Sequence, residues 1–177
     1  MHIWDICQNS INAGADRIVI TLDIKRNYDR LIIKVKDNGI GIDKEALPKV
    51  KDPFYTTKEK AETGLGIPLF KMAAELTGGK FSIASKPNVG TVVRAVFVYS
   101  HVDRAPLGDI AYAVGHIICL NASIEIEFIF RTYEEFFIST SGIKAVLENL
   151  TLNRPKVTEL ICEFIRLKMQ EIDEDLY

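Results

Sequence analysis

The chain has 177 residues, 47% of them hydrophobic and 26% charged, with a formal net charge of −2. This composition sets aside disordered and fibrous classes and suits one medium domain, or a small domain with a substantial extension. No apolar run approaches the roughly 20 residues that cross a bilayer, and Met1-His2-Ile3-Trp4-Asp5 lacks the basic region of a secretory signal. The expectation is a cytoplasmic protein with no membrane association.

The start reads as a helix over 2–13, ending at Gly14. Ile3, Ile6, Cys7, Ser10 and Ile11 make one small or apolar stripe at helical spacing. Asp5 and Asn9 lie four apart and share a face. Residues 17–25 alternate, with Ile18, Ile20, Leu22 and Ile24 on one side, and Arg26-Asn27-Tyr28-Asp29 turns them back into a strand over 30–36. Asp43 is a good N-cap for a short helix through Val50. After a loop at 51–63, residues 66–77 read as a helix with Pro68 in its first turn and Gly78-Gly79 as its stop. Strands near 80–86 and 91–99 follow, joined by the turn Pro87-Asn88-Val89-Gly90. Hairpins alternating with helices predict helices on one face of a mixed, largely antiparallel sheet.

Polar residues and Pro106 break the pattern near 100–106, which divides the chain into residues 1–100 and 101–177. Beyond the break come a helix at 106–120, strands near 123–131 and 135–140, and helices at 142–150 and 155–172. Seventy-seven residues make a marginal independent domain, so this α+β extension is expected to pack on the first part or on a partner.

Charge differs between the parts. Residues 1–100 carry 15 basic against 11 acidic side chains, and residues 101–177 carry 7 against 13. The basic first part suits an anionic small ligand, while the acidic second part argues against nucleic acid binding there, and no nucleic acid partner is expected. Cys7, Cys119 and Cys162 lie far apart among apolar residues, without metal-ligand spacing, and read as buried reduced thiols.

Four pieces assemble into one candidate site. Asp5 offers a carboxylate to activate a nucleophile, and Asn9 an amide oxygen to complete the shell of Mg²⁺. Asp37 ends a strand where it can accept a hydrogen bond from an exocyclic amine, and Gly39 and Gly41 clear space for a planar base. Gly64-Leu65-Gly66 opens a helix whose N–H groups and dipole favour phosphate. Thr91 brings a hydroxyl to the same pocket if its strand lies beside that of Asp37. Each piece alone has a plainer reading: a solvated helix face, a strand-ending Asn-Gly turn, a loop needing positive φ, a turn before a strand.

Their joint order resembles the ATP-binding domain shared by sensor histidine kinases, DNA gyrase, the heat-shock chaperone and the mismatch-repair ATPase MutL, over residues 1–99. Asp5-Ile6-Cys7-Gln8-Asn9-Ser10-Ile11-Asn12-Ala13-Gly14-Ala15 is similar to its asparagine box, and Asp37 to Ile42 to its first glycine box. Asp52-Pro53-Phe54-Tyr55-Thr56-Thr57-Lys58 resemble the phenylalanine box, Thr63-Gly64-Leu65-Gly66-Ile67 the second glycine box, and Gly90-Thr91 the closing Gly-Thr. The phenylalanine box with Gly-Leu-Gly resembles the histidine-kinase branch more than the mismatch-repair branch.

The resemblance implies a two-layer α/β sandwich with a Bergerat-type mixed sheet. It implies ATP and Mg²⁺, with Asn9 holding the metal and Asp37 and Thr91 reading adenine between Gly39 and Gly41. It implies Lys58 and the backbone of Gly64, Leu65 and Gly66 at the phosphates, under a lid at 58–63. Asp5 takes the place of a catalytic residue that is usually Glu. Glu62 stands where the second box often begins with Gly, and the lid is short. The strand that often precedes the first helix is absent from this sequence, so residues 101–177 or another subunit are expected to cover that sheet edge. The three histidines, His2, His101 and His116, sit in no phosphoacceptor context. Two functions follow: an ATPase or protein kinase acting on a separate partner, or a non-catalytic ATP-sensing module. In either, residues 101–177 are expected to contact a protein partner, and self-association stays open.

Overall fold

The computed structural model describes residues 3–51, 65–147, 151–174 and 176. The chain opens with α1 (Ile3–Asn12), whose buried face is Ile3, Ile6, Cys7 and Ser10. It stops at Gly14, which takes φ +69°. Strands β1 (Arg17–Lys25) and β2 (Arg30–Asp37) follow, joined by one 3₁₀ turn at Arg26–Tyr28 with Asp29 left-handed. The alternation of Ile18, Ile20, Leu22 and Ile24 holds, all four being buried.

The helix expected over 43–50 does not form. Asp43 does accept the N–H groups of Ala46 and Leu47, but the segment continues as turns and a short 3₁₀ helix, Lys49–Lys51. Pro48 explains the interruption, because it has no N–H to return to the carbonyl of Lys44.

Helix α2 (Gly66–Leu76) and the hairpin of β3 (Lys80–Lys86) and β4 (Gly90–Val98) come next. Then follow α3 (Ile110–Leu120), β5 (Glu125–Arg131), β6 (Glu135–Ser139), α4 (Thr140–Leu147) and α5 (Pro155–Ile172). The α3 helix starts later than the sequence pattern predicts. Asp109 caps it, accepting the N–H of Tyr112 at 2.9 Å, which is the ordinary role of an Asp before an apolar helical run.

The six strands form one sheet in the order β3-β4-β2-β1-β5-β6. All neighbours are antiparallel except β1 and β5, which run parallel with Arg17 opposite Glu125. Residues 101–177 thus cover the β1 edge with a strand of their own. The chain has the α+β architecture expected, with helices on one face of a mixed sheet. Ile20 and Leu22 of β1, Ile33 of β2, and Phe128 and Phe130 of β5 are fully buried in one continuous core. No described helix is long and apolar enough to cross a membrane.

Candidate functional site

Asp37 is the last residue of β2 and is 7% exposed. A carboxylate buried this deeply needs donors to replace the water it loses. Three do. One oxygen, Oδ1, accepts the backbone N–H of Gly39 at 3.0 Å and that of Thr91 at 3.1 Å. The other, Oδ2, accepts the hydroxyl of Ser10 at 2.7 Å. A carboxylate has about four lone-pair positions, so one acceptor position on Oδ2 is left for an incoming donor.

Strand pairing places Thr91 there. Lys36 of β2 faces Val92 of β4, which sets Thr91 beside Asp37. Its hydroxyl lies 2.8 Å from that of Ser85, whose Oγ also accepts the N–H of Ile42 at 2.8 Å. Ser10 and Ser85 were not singled out as site residues in the sequence. A signal existed for Ser10, a hydroxyl set inside an otherwise apolar helical stripe; Ser85 had none.

The loop after Asp37 is held at both ends. Asn38 accepts the N–H groups of Asp16 and Arg17 through its side chain, which ties the end of β2 to the start of β1. Ile40 donates to the carbonyl of Ala13, and Asn88 donates to the carbonyl of Ile40. This path explains the glycines locally. A Cβ on Gly39 would stand 2.7 Å from the carbonyl oxygen of Ala13. One on Gly41, at φ +72°, would stand 2.2 Å from that of Lys86. The space a side chain would need at each is already filled by this chain's own backbone.

Asp5 and Asn9 are both exposed on α1, one turn apart. Gly66 packs directly onto Asp5: a Cβ there would lie 2.6 Å from Cβ of Asp5. The acid of the first helix therefore stands against the N-terminus of α2. Leu65, at the N-cap of α2, brings no side-chain acceptor, and Pro68 has no N–H. Gly66 and Ile67 thus present the first-turn donors, a setting that favours an anion. Lys58 and Gly64, with the rest of the phenylalanine box and the lid, lie outside the described residues.

Cys7 lies one turn before Ile11 on the buried side of α1, and its thiol is pushed up to about 12, first by burial and then by the nearby charge of Asp37. It is an inert packing residue at neutral pH. Cys119 and Cys162 are also free and buried, as the sequence suggested. No group of three or more metal-ligating side chains occurs among the described residues. A magnesium ion carried by a triphosphate needs only one or two protein oxygens besides phosphate and water, so the exposed amide of Asn9 beside Asp5 fits such an ion.

The family model described as Histidine kinase-, DNA gyrase B-, and HSP90-like ATPase matches residues 2–100. The chain is 35% identical to sporulation kinase C of Bacillus subtilis (strain 168), over 52% of its own length and 21% of that protein. It is 36% identical to sporulation kinase E of the same organism, over 50% of its own length and 12% of that protein. The chain therefore spans about a fifth or less of these relatives. Among solved structures it is similar to the Aquifex aeolicus MutL ATPase domain complexed with ADP, with a TM-score of 0.53 and 16% identity, over 82% of this chain and 67% of that one. The N terminal domain of a DNA repair protein gives 0.55 and 16%, over 82% of this chain and 55% of that one. At such identities the likeness is one of fold.

Proposed function

The chain belongs to the histidine kinase-, DNA gyrase B- and HSP90-like ATPase family, and from that premise we propose that it binds MgATP between α1, the Asp37 loop and α2 and cleaves the γ-phosphate for a separate partner. The observation that carries this reading is the contact between Gly66 and Asp5. It sets a carboxylate beside helix N–H donors suited to phosphate, one turn from an amide suited to the metal.

Each residue then has a task. Asp37 accepts the exocyclic amine of adenine at the one free position on Oδ2, while its fixed Oδ1 bonds hold the carboxylate in place. Thr91, whose N–H holds Oδ1 and whose hydroxyl pairs with that of Ser85, supports it. Asn9 holds Mg²⁺, which supplies charge neutralisation for the triphosphate when bound. The backbone of Leu65 and Gly66 approaches the phosphates, and Lys58 and Gly64, outside the described residues, are assigned to the same group by the family resemblance. Asp5 accepts the proton from the attacking water or partner side chain. A solved structure of similar fold is complexed with ADP, and two of the curated relatives are named sporulation kinases; both support this assignment.

A second reading, an ATP-sensing module without turnover, is favoured by one observation. The carboxylate at the catalytic position is that of Asp5, one methylene shorter than Glu, and a displacement near 1 Å can cost about a hundredfold in rate. Incubation with γ-labelled ATP separates the two. Phosphate release that vanishes in Asp5→Asn while calorimetric ATP affinity stays supports catalysis. No release over hours from a chain that binds ATP supports sensing. Binding indifferent to both Mg²⁺ removal and Asn9→Ala overturns the metal assignment.

A further inference from the structure

The face of the sheet turned away from the helices divides by charge. On β2, β4 and β3 the side chains of that face are Arg30, Ile32, Lys34, Lys36, Val92, Arg94, Val96, Val98, Lys80, Ser82, Ala84 and Lys86, by strand alternation. Six are basic and none is acidic. Acidic residues slightly outnumber basic ones in the chain, 24 to 22, and a merely solvated face drawn from such a composition mixes both signs.

The other half of the same face shows that mixture. On β1, β5 and β6, Arg17 pairs with Glu127, Lys25 with Asp23, and Arg131 with Glu135. Among the described residues, none of the six cations on β2, β4 and β3 makes an ion pair. Two of them, Lys34 and Arg94, stand directly opposite each other on paired strands, where like charges are destabilising. Nothing in the candidate nucleotide site uses them, because Asp37 and Thr91 point to the helix side.

We infer that this basic half-face binds the phosphate backbone of a nucleic acid. The charge is the only attraction on offer. The apolar residues between the cations, Ile32, Val92 and Val98, are half-buried, Val96 is buried, and no aromatic side chain stands among them, so the patch lacks the anchors that dominate protein interfaces and the platforms that stack single-stranded bases. Strand twist of about 20–25° per pair turns β3 by roughly 45° against β2. The six cations thus do not share the plane that a bilayer surface requires, whereas a duplex backbone curves. The expectation of no nucleic acid partner rested on the acidity of residues 101–177, and the basic half-face lies wholly outside them.

The test is fluorescence anisotropy of the full chain with a labelled 20-base-pair DNA duplex across 50–200 mM salt, with no nucleotide present. Contact with about five phosphates predicts a slope near −4 to −5 of log affinity against log salt. Lys34→Gln with Arg94→Gln should weaken binding at least tenfold at 50 mM salt and make the slope shallower by about 2. Arg131→Gln, on the mixed half, should leave both unchanged. Circular dichroism melts establish that the variants are folded. No binding at 50 mM salt, or an equal effect from Arg131→Gln, overturns the inference. So does tighter binding to phosphatidylserine-containing vesicles than to the duplex, since that outcome makes the surface a lipid site.

Discussion

The hydroxyl of Ser10 donates to Oδ2 of Asp37 at 2.7 Å, both groups buried and 27 residues apart in sequence. With the Gly39 and Thr91 N–H groups on Oδ1, this bond makes Asp37 a structural residue as well as the proposed base reader. Asp37→Asn therefore does two things. It should abolish ATP binding in calorimetry, and it should cost about 1–3 kcal/mol in urea unfolding, because an amide nitrogen in the Oδ1 place faces two backbone N–H donors, while one in the Oδ2 place forces the Ser10 hydroxyl to turn and accept. Ser10→Ala separates the effects, lowering ATP affinity while leaving both Oδ1 bonds in place. Wild-type ATP affinity in Asp37→Asn would sink the assignment.

Two glycines with the same backbone twist should respond unequally to alanine. Gly14 and Gly41 have φ of +69° and +72°, but a Cβ on Gly14 meets nothing within 4 Å, while one on Gly41 meets the Lys86 carbonyl at 2.2 Å. Gly14→Ala should cost about 1 kcal/mol of left-handed strain. Gly41→Ala adds a backbone clash and should cost at least about 2 kcal/mol more, lowering Tm by several further degrees. Equal melting temperatures would show that the hairpin gives way freely.

The ion pair of Arg26 with Asp173, 2.5 Å, clamps the end of α5 to the β1–β2 turn. Asp173 is buried, and Arg26 is partly exposed and stacked over Tyr99 at 5.0 Å. The two truncations should differ in consequence. Arg26→Ala strands a buried carboxylate and should cost about 2–3 kcal/mol. Asp173→Ala leaves a guanidinium that water and Tyr99 still serve, for about 1 kcal/mol. Urea denaturation of both variants reads the asymmetry, and a larger loss in Asp173→Ala would contradict it.

Stability should fall on the alkaline side. Burial pushes the Cys7 thiol up to about 12 and Cys162 up to about 11, from an ordinary value of 9.0. Above pH 9 the unfolded chain releases protons that the folded chain retains, so the stabilisation is complete below 9 and declines as pH rises toward 11 and 12. Each such thiol contributes a slope of up to about 1.4 kcal/mol per pH unit in that window. Urea melts at pH 8 and 10.5 should show a smaller loss in Cys7→Ala than in the parent chain. An identical loss would place the alkaline sensitivity elsewhere.

Much of the candidate site was legible because its signals are local. Asp37-Asn38-Gly39 followed a β-alternating run, Asp5 and Asn9 shared a helix face, and Gly90-Thr91 began a strand. Ser85 escaped because its partners, Ile42, Gly90 and Thr91, are brought to it by a hairpin and a loop that no periodicity describes. The helix expected over 43–50 failed for a reason within the sequence itself, since Pro48 outweighs the cap at Asp43.

The sequence by itself determined the order of the strands and long helices, the alternating faces and the candidate residues for a purine site. Periods of 2.0 and 3.6 residues and short turn signals are properties of neighbouring residues, and burial follows from them. Only the tertiary structure decided what surrounds those residues. It put Ser10 on Asp37, Asp5 against Gly66, and β5 along the edge of β1. It also gathered six cations from three strands onto one half of a sheet face, where no stretch of sequence shows them together. Distances across a sheet depend on strand order and register, and those are set by which apolar faces bury one another.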